Sequence, residues 1–149
     1  MSNDLKKLYS EVIKSHNDAP YHFEKRPQDA SVLKAYNPMC GDRFELYINT
    51  DQDNIHQLYF HGYGCAVSKA STSVLVKTLE GKTLSAAHSI CDDFLRFLDK
   101  KELSENQSLN DLFQAFSGVH EFPDRYDCAA LSWKLMKDYL LSKKAGHKN

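Results

Sequence analysis

An alternating segment followed by a polar turn places the strongest constraint on the fold. Residues 44–48, Phe-Glu-Leu-Tyr-Ile, show the period-two pattern of a half-buried β-strand. Residues 49–54, Asn-Thr-Asp-Gln-Asp-Asn, predict a tight turn, and a second strand-like run follows at 55–60. A further short strand is predicted at residues 31–36. Three strands joined by short turns predict an antiparallel meander.

Helical patterns account for most of the remaining chain. An amphipathic helix is expected at residues 4–15, followed by an irregular polar arm over residues 21–30. Beyond the strands, apolar residues at helical spacing predict helices at residues 66–79, 84–98, 109–116 and 128–141. Strands grouped before helices predict an α+β fold, with a small three-stranded antiparallel sheet packed against several helices. At 149 residues, we expect one domain spanning residues 1–149.

Net charge and hydropathy limit the partner classes and the cellular compartments that we expect. The net charge of −1 does not favour a nucleic acid or an anionic membrane as a partner. No apolar run approaches the ~20 residues that span a bilayer, and the charged N-terminal segment does not resemble a signal peptide. We therefore expect a cytoplasmic protein. In that reducing compartment, four cysteines favour metal or thiol chemistry over disulfides.

Three of the four cysteines stand where elements of the predicted fold begin or end. Cys40 lies in the turn between the first two strands, Cys65 at a strand-to-helix junction, and Cys128 at the start of the last helix. Helix N-termini favour anions, and a thiolate is an anion. Cys91 differs because it lies in an apolar helical stripe, where free cysteine behaves as a small core residue.

Asp42 completes a candidate ligand set. It lies two residues from Cys40, and positions i and i+2 of an extended segment face the same side. Three sulfurs and one carboxylate oxygen suit tetrahedral zinc, and thiolates also suit iron–sulfur chemistry. Spacing alone leaves another interpretation open, in which Asp42 satisfies N–H groups of the turn and the cysteines are unrelated.

Three blocks of the sequence resemble a known family. NPMCGDRFEL, HGYGCAVSKASTSVL and FPDRYDCAALSWKLM are similar to the signature blocks of the IscU/NifU N-terminal family of iron–sulfur cluster assembly proteins. The long stretch between Cys65 and Cys128, with no histidine just before Cys128, resembles the SufU-like branch. The resemblance covers nearly the whole chain. It implies an α+β fold with a metal site near the surface at one end, held by Cys40, Asp42, Cys65 and Cys128.

The resemblance also implies an activity. SufU-like members hold zinc and accept persulfide sulfur from a pyridoxal-phosphate-dependent cysteine desulfurase of the SufS type, and they act with downstream iron–sulfur assembly proteins. Cys40 is the expected sulfur acceptor, because it lies on a turn while Cys65 and Cys128 are anchored on helices. Whether such a zinc-dependent sulfurtransferase counts as an enzyme stays open, since sulfur only enters and leaves a cysteine.

Two residues next to Cys128 are expected to modify the site. Arg125 matches the arginine of the FPxRxxC block and is expected to neutralise the ligand set partly or to contact the desulfurase. The alternative is a surface ion pair with Asp124 or Asp127. Asp127 stands where the IscU branch has a ligating histidine, so it adds negative charge there. It is also an alternative carboxylate ligand, although neighbouring helical side chains diverge by ~100°.

Three other functions remain open from the sequence. The first is a scaffold that assembles and transfers a [2Fe–2S] cluster, which the IscU-like members build at the same site. The second is a cysteine hydrolase that pairs Cys40 with His22 or His120. The third is a purely structural zinc site, which would be closed and buried instead of open at the surface.

Overall fold

The architecture is a small antiparallel sheet combined with five helices among the residues that are described. The computed structural model describes residues 3–26, 30–39 and 41–147. In chain order the elements are α1 (Asn3–Asp18), β1 (Ser31–Asn37), β2 (Asp42–Asp51), β3 (Asn54–Tyr63), α2 (Ala66–Leu79), α3 (Leu84–Lys100), α4 (Gln107–Gln114) and α5 (Tyr126–His147). Two short 3-10 turns, Ser117–His120 and Pro123–Arg125, precede α5. The predicted α+β class is confirmed.

The sheet confirms the predicted meander and extends its strands. The strand order is β1-β2-β3, and both pairs are antiparallel. The turn predicted over residues 49–54 narrows to Gln52 and Asp53, with a positive φ of 57° at Gln52. Asn49 pairs with Gln57 across the hairpin, and their side chains share a hydrogen bond of 3.2 Å. Backbone pairing therefore continues into residues whose polar side chains are typical of turns.

The two faces of β2 are both protected. Phe44, Leu46 and Ile48 point inward and are at most 1% exposed. Tyr47 points to the opposite face and is also buried, and its hydroxyl donates to Glu45 Oε1 at 3.1 Å. Burial raises the pKa of Tyr47 to about 12. The outer face of the sheet is therefore covered at this point and not uniformly solvated.

The described part of the predicted arm is irregular and is anchored to the free edge of β3. Phe23 forms a parallel bridge with Phe60, and their ring centroids lie 5.1 Å apart. The Phe60 N–H donates to the carbonyl of His22 at 3.1 Å, and the Glu24 N–H donates to the carbonyl of Phe60 at 2.8 Å. The arm thereby occupies an edge that would otherwise offer unpaired backbone groups to another chain.

Helix ends follow local capping groups more closely than the apolar pattern does. The helix predicted at residues 109–116 begins two residues earlier, because the Asn106 side chain accepts from the Leu109 N–H at 3.2 Å. The last helix begins at Tyr126 instead of residue 128 and continues to His147 instead of residue 141. None of the helices in the described part of the chain has the length and apolar character that crossing a membrane requires.

The hydrophobic core lies between the inner face of the sheet and the helices. Its largest fully buried side chains are Trp133, Phe44, Phe60, Phe94, Phe113 and Phe116. The rings of Phe94 and Trp133 have centroids 4.2 Å apart, which joins α3 to α5. Cys91 is 0% exposed within this core, as predicted, and burial raises the pKa of its thiol.

Small polar residues on α2 join it closely to α5. Ser71 Oγ donates to the carbonyl of Ala129 at 2.6 Å and accepts from the Trp133 indole N–H at 2.9 Å. At the next residue of α2, Thr72 Oγ1 lies 2.8 Å from Ser132 Oγ of α5. Because these groups are buried and paired, they define one alignment of the two helices and fix where α5 begins.

The Ser71 contacts make a stability prediction. Ser71→Ala leaves the buried Trp133 indole N–H without its acceptor, so we expect the free energy of unfolding to fall by about 1–3 kcal/mol. Urea denaturation of the metal-free protein measures this change. The matched control is Ser142→Ala, which removes an exposed hydroxyl bonded to the Tyr139 carbonyl. We expect the control to stay within about 0.5 kcal/mol of wild type, and an equal loss in both variants would contradict the assigned role.

Burial of Cys91 predicts selective thiol reactivity. Alkylation requires the thiolate, which burial disfavours at Cys91, whereas Cys65 is only half-buried. In the folded, chelator-treated protein we expect iodoacetamide to label Cys65 and to leave Cys91 unmodified until urea unfolds the chain. Peptide mass mapping reads out both positions. Labelling of Cys91 at the rate of Cys65 under native conditions would show that the core opens there.

Candidate metal centre

The hairpin topology brings two of the candidate ligands to one end of the sheet. Asp42 is the first residue of β2, and Cys65 follows the last residue of β3 by two positions. Because the strands are antiparallel, the start of β2 lies beside the end of β3, with Arg43 paired to Tyr63. The sheet therefore delivers a carboxylate and a thiol to the same place.

Asp42 is the most constrained group of the site. Its side chain is 0% exposed, and Oδ1 accepts from the backbone N–H of Cys65 at 3.0 Å. The second oxygen, Oδ2, is buried and has no hydrogen-bond partner within the described residues. A buried carboxylate oxygen without a partner is costly unless a cation balances it. The geometry therefore fits a bound metal ion better than it fits a turn-capping aspartate alone.

Cys65 is held by the start of α2. It is the N-cap residue of that helix, and its Sγ accepts from the Ser68 N–H at 3.5 Å. The sulfur thus lies at the positive end of the helix dipole, where negative charge is stabilised. The spacing from Cys65 to Ser68 is that of an N-cap and its third helical residue. That spacing is visible in the sequence, and Ser68 is a residue of the site that the sequence predictions missed.

Cys128 reaches the same point from the last helix. It lies in the first turn of α5 and is 1% exposed. The ligand atoms of Asp42, Cys65 and Cys128 all lie within 4.8 Å of one another. Two sulfurs and a carboxylate oxygen are donors that zinc accepts, and thiolates also hold iron–sulfur clusters. The three described groups could therefore hold a metal, with the half-buried Cys65 on the side nearer to solvent.

Glycines allow the close approach of β3 to Asp42. A Cβ on Gly64 would lie 2.7 Å from Asp42 Oδ1 and 2.5 Å from Ser68 Oγ, closer than real contacts permit. Gly62 has a φ of 142°, and a Cβ there would collide with the backbone of Arg43. The sequence Gly-Tyr-Gly-Cys therefore reflects steric need next to the carboxylate.

Arg125 lies beside both thiols. The residue is exposed to solvent, and its side chain is within hydrogen-bonding reach of Cys65 and Cys128. Negative charge on Cys65, together with the hydrogen bond to Cys128, raises the pKa of the guanidinium. A permanent cation here offsets part of the negative charge that two thiolates and a carboxylate would bring together.

The other residues that the sequence suggested as ligands or catalytic groups are not among the three converging groups. Cys40 lies outside the described residues, so its position in the site stays a prediction. Asp127 is exposed, and it is not one of the residues whose ligand atoms converge. His22 Nδ1 lies 3.0 Å from Glu80 Oε2, and His120 Nε2 lies 3.0 Å from the carbonyl of Phe97. Each histidine therefore has one ring nitrogen engaged away from the three converging groups.

Comparison with known proteins gives the same family at the level of sequence and of fold. The model of the family described as NifU-like N terminal domain matches residues 8–129. The zinc-dependent sulfurtransferase SufU of Bacillus subtilis is 33% identical over 144 residues, which are 97% of each chain. The scaffold protein IscU of Streptococcus pyogenes is 30% identical over 134 residues, covering 90% of this chain and 83% of the relative.

A solved structure supports this likeness in three dimensions. A crystal structure from Fervidobacterium islandicum, described as an iron–sulfur cluster assembly scaffold protein for the SUF system, superposes with a TM-score of 0.80. It is 30% identical and covers 90% of this chain and 97% of its own. With the matched family model, the shared fold and the convergence of Asp42, Cys65 and Cys128, the chain belongs to the family of NifU-like N-terminal domains.

Proposed function

We propose that this chain is a zinc-dependent acceptor and carrier of persulfide sulfur that works with a cysteine desulfurase in iron–sulfur cluster assembly. Zinc would be held by Cys40, Asp42, Cys65 and Cys128. The observation that carries this proposal is the buried Asp42 carboxylate, which has an unpaired Oδ2 and contributes one oxygen to a group with two thiols. The likeness to the Bacillus subtilis zinc-dependent sulfurtransferase over 97% of the chain supports it.

Zinc suits the chemistry because it keeps thiols deprotonated and has no redox chemistry of its own. The chain's residues would then supply geometry and charge. The Cys65 N–H orients Asp42 through a hydrogen bond. Cys65 is held as the N-cap residue of α2, and the packing of α5 on α2 holds Cys128. Such anchoring leaves Cys40, between β1 and β2, as the ligand whose release would disturb least of the fold.

The transfer itself needs no external oxidant or reductant. The thiolate of Cys40 would attack the outer sulfur of the donor's persulfide, forming a new S–S bond as the donor's S–S bond breaks. The electron pair of the broken bond leaves on the donor cysteine, which becomes a thiolate. The sulfur atom is thereby moved at the same oxidation level. The new persulfide on Cys40 can pass to a downstream assembly protein by the same exchange.

Arg125 and Asp127, which lie close to Cys128 in the chain, have different proposed roles. Arg125, beside the thiols of Cys65 and Cys128, would offset negative charge when the ligand set is complete. Asp127 is exposed and lines a small surface cavity with Lys134, so we assign it to partner contact.

We further propose that residues 1–149 form one domain and that the protein works in the cytoplasm, where its thiols would stay reduced.

A [2Fe–2S] scaffold is the second candidate, and the likeness to IscU of Streptococcus pyogenes favours it. Both candidates use the same ligand set. The position before Cys128 is Asp127 and not the histidine expected of the IscU-like branch, which favours zinc. After anaerobic purification, a colourless protein with one zinc supports the first function, whereas a brown protein with iron and sulfide supports the second.

Exchange of one carboxylate for an amide tests the ligand assignment. Asp42→Asn keeps an oxygen that can accept from the Cys65 N–H but removes the charge, so we expect zinc affinity to fall about tenfold or more. Competition with a chromophoric chelator measures the affinity. Asp127→Asn is the matched control, because it removes an exposed acid one residue from Cys128, and we expect it to bind zinc like wild type.

Two results would change which carboxylate is assigned as the zinc ligand. Unchanged zinc affinity in Asp42→Asn would remove Asp42 from the ligand set. A loss in Asp127→Asn would assign the carboxylate ligand to Asp127 instead. Thermal unfolding of the zinc-free proteins shows whether either variant has lost its fold.

Removal of single cysteines tests the sulfur-transfer function. With a cysteine desulfurase and cysteine, wild-type protein is expected to increase the rate of alanine formation and to gain one sulfur on the peptide that contains Cys40. Cys40→Ala should abolish both signals, whereas Cys91→Ala should keep them, since Cys91 is buried in the core. Kinetics and peptide mass spectrometry measure the two quantities. No rate increase by the wild type would rule out the proposed activity, and retention by Cys40→Ala would move the acceptor to another cysteine.

A further inference from the structure

A groove on the outer face of the sheet lies at the end of the sheet that carries Asp42 and the β3–α2 junction. Its volume is about 480 Å³. The side chains that line it come from all three strands and from the arm before β1, and include Lys25, Lys34, Tyr36, Arg43, Glu45, His61 and Tyr63. We refer to this set as the sheet groove.

One cross-strand row forms the end of the sheet groove nearest to the centre. Tyr36, Arg43 and Tyr63 are paired in register across β1, β2 and β3. The Arg43 guanidinium lies over the ring of Tyr36, 4.7 Å from its centroid. Both tyrosines are more than half exposed, at 53% and 63%. Arg43 directly follows Asp42 in β2, so this row lies at the same end of the sheet as the converging ligands but on its outer face. The row presents a cation stacked on Tyr36, with a second exposed ring on β3.

The second cross-strand row adds charge. Lys34, Glu45 and His61 are paired across the same three strands, and Lys25 reaches the groove from the arm. Glu45 is the acidic residue among the lining residues, and its Oε1 already accepts from the Tyr47 hydroxyl. Three fixed cations therefore face one carboxylate, in a chain whose net charge is −1.

The cations of the sheet groove form no ion pair with the described side chains, unlike Lys14 and Lys137. Lys14 pairs with Asp18 at 3.0 Å, and Lys137 pairs with Asp92 at 2.7 Å. Among the side chains described, those of residues 11–26, 30–39 and 41–143, no carboxylate forms an ion pair with Lys25, Lys34 or Arg43. The groove thus retains positive potential that a negatively charged partner can use.

We propose that the sheet groove binds an extended acidic segment of the protein that delivers sulfur, and so guides the donor's cysteine to the metal centre. This inference rests on the proposed function. The excess of cations favours an acidic segment, and the position of the groove at the end of the sheet that carries Asp42 favours the sulfur donor as its source. Exposed tyrosine and arginine side chains are the types that dominate binding energy at protein interfaces. An open groove that spans two side-chain rows suits a peptide segment better than a small anion.

Charge reversal within the groove tests the proposal. The double variant Lys34→Glu with Arg43→Glu is expected to weaken binding to a cysteine desulfurase by about tenfold at low salt, mainly through a slower association rate. The difference should shrink as ionic strength rises from about 0.05 to 0.5 M, because salt screens exposed charges. Surface plasmon resonance measures both rates. At saturating donor, we expect the variant to keep its zinc and to accept sulfur as the wild type does.

A matched control reverses two exposed lysines elsewhere. Lys82→Glu with Lys100→Glu changes the net charge equally but lies outside the sheet groove, and we expect its affinity to stay within about twofold of wild type. Equally weakened binding in both double variants would assign the effect to net charge and contradict the proposed role of the sheet groove. If charge reversal prevents folding, Lys34→Gln with Arg43→Gln should show the same salt-dependent loss in smaller degree.

The experiments distinguish a wrong groove proposal from a wrong proposed function. If wild type accepts sulfur and the groove variant binds the donor unchanged, the groove proposal alone is wrong. If wild type neither binds the donor nor accepts sulfur, the proposed function is wrong and the docking role goes with it. Binding of a single-stranded oligonucleotide by wild type, lost on charge reversal, would assign the groove to nucleic acid and overturn the peptide proposal.

Discussion

The hydrogen bond from the Cys65 N–H to Asp42 Oδ1 is the contact on which the site depends. At 3.0 Å it joins the first residue of β2 to the cap of α2 and orients the buried carboxylate. The other oxygen has no hydrogen-bond partner among the described groups, and the carboxylate converges with two thiols. A buried carboxylate oriented in this way is destabilising without a cation, so metal binding and local stability are coupled here.

Packing at a distance from the ligands sets the position of the second sulfur. Cys128 depends on the start of α5, and that helix is aligned on α2 by the bonds from Ser71 to Ala129 and Trp133. A shift of one residue would leave these buried polar groups unpaired, which explains why the alignment is specific. Stability of the core and geometry of the centre are therefore properties of one interface.

The charges around the centre have separate uses. Arg125 lies beside the sulfurs and offsets charge within the ligand set, whereas Arg43 is turned to the outer sheet face and stacks on Tyr36. Both arginines neighbour ligand-bearing segments, yet they face different environments. We therefore expect substitutions of Arg43 to leave metal binding unchanged, although both features lie at the same end of the sheet.

Local patterns determined much of this protein. Alternation in residues 44–48 predicted the central strand, the cysteines at helix starts predicted anionic positions, and the three sequence blocks indicated the family. Tertiary structure alone decided that Cys65 and Cys128 converge with Asp42, because their distance depends on how α2 packs on α5. It also decided the unpaired Oδ2 and the row of Tyr36, Arg43 and Tyr63, since strand register and burial arise from contacts between distant segments that no local pattern encodes.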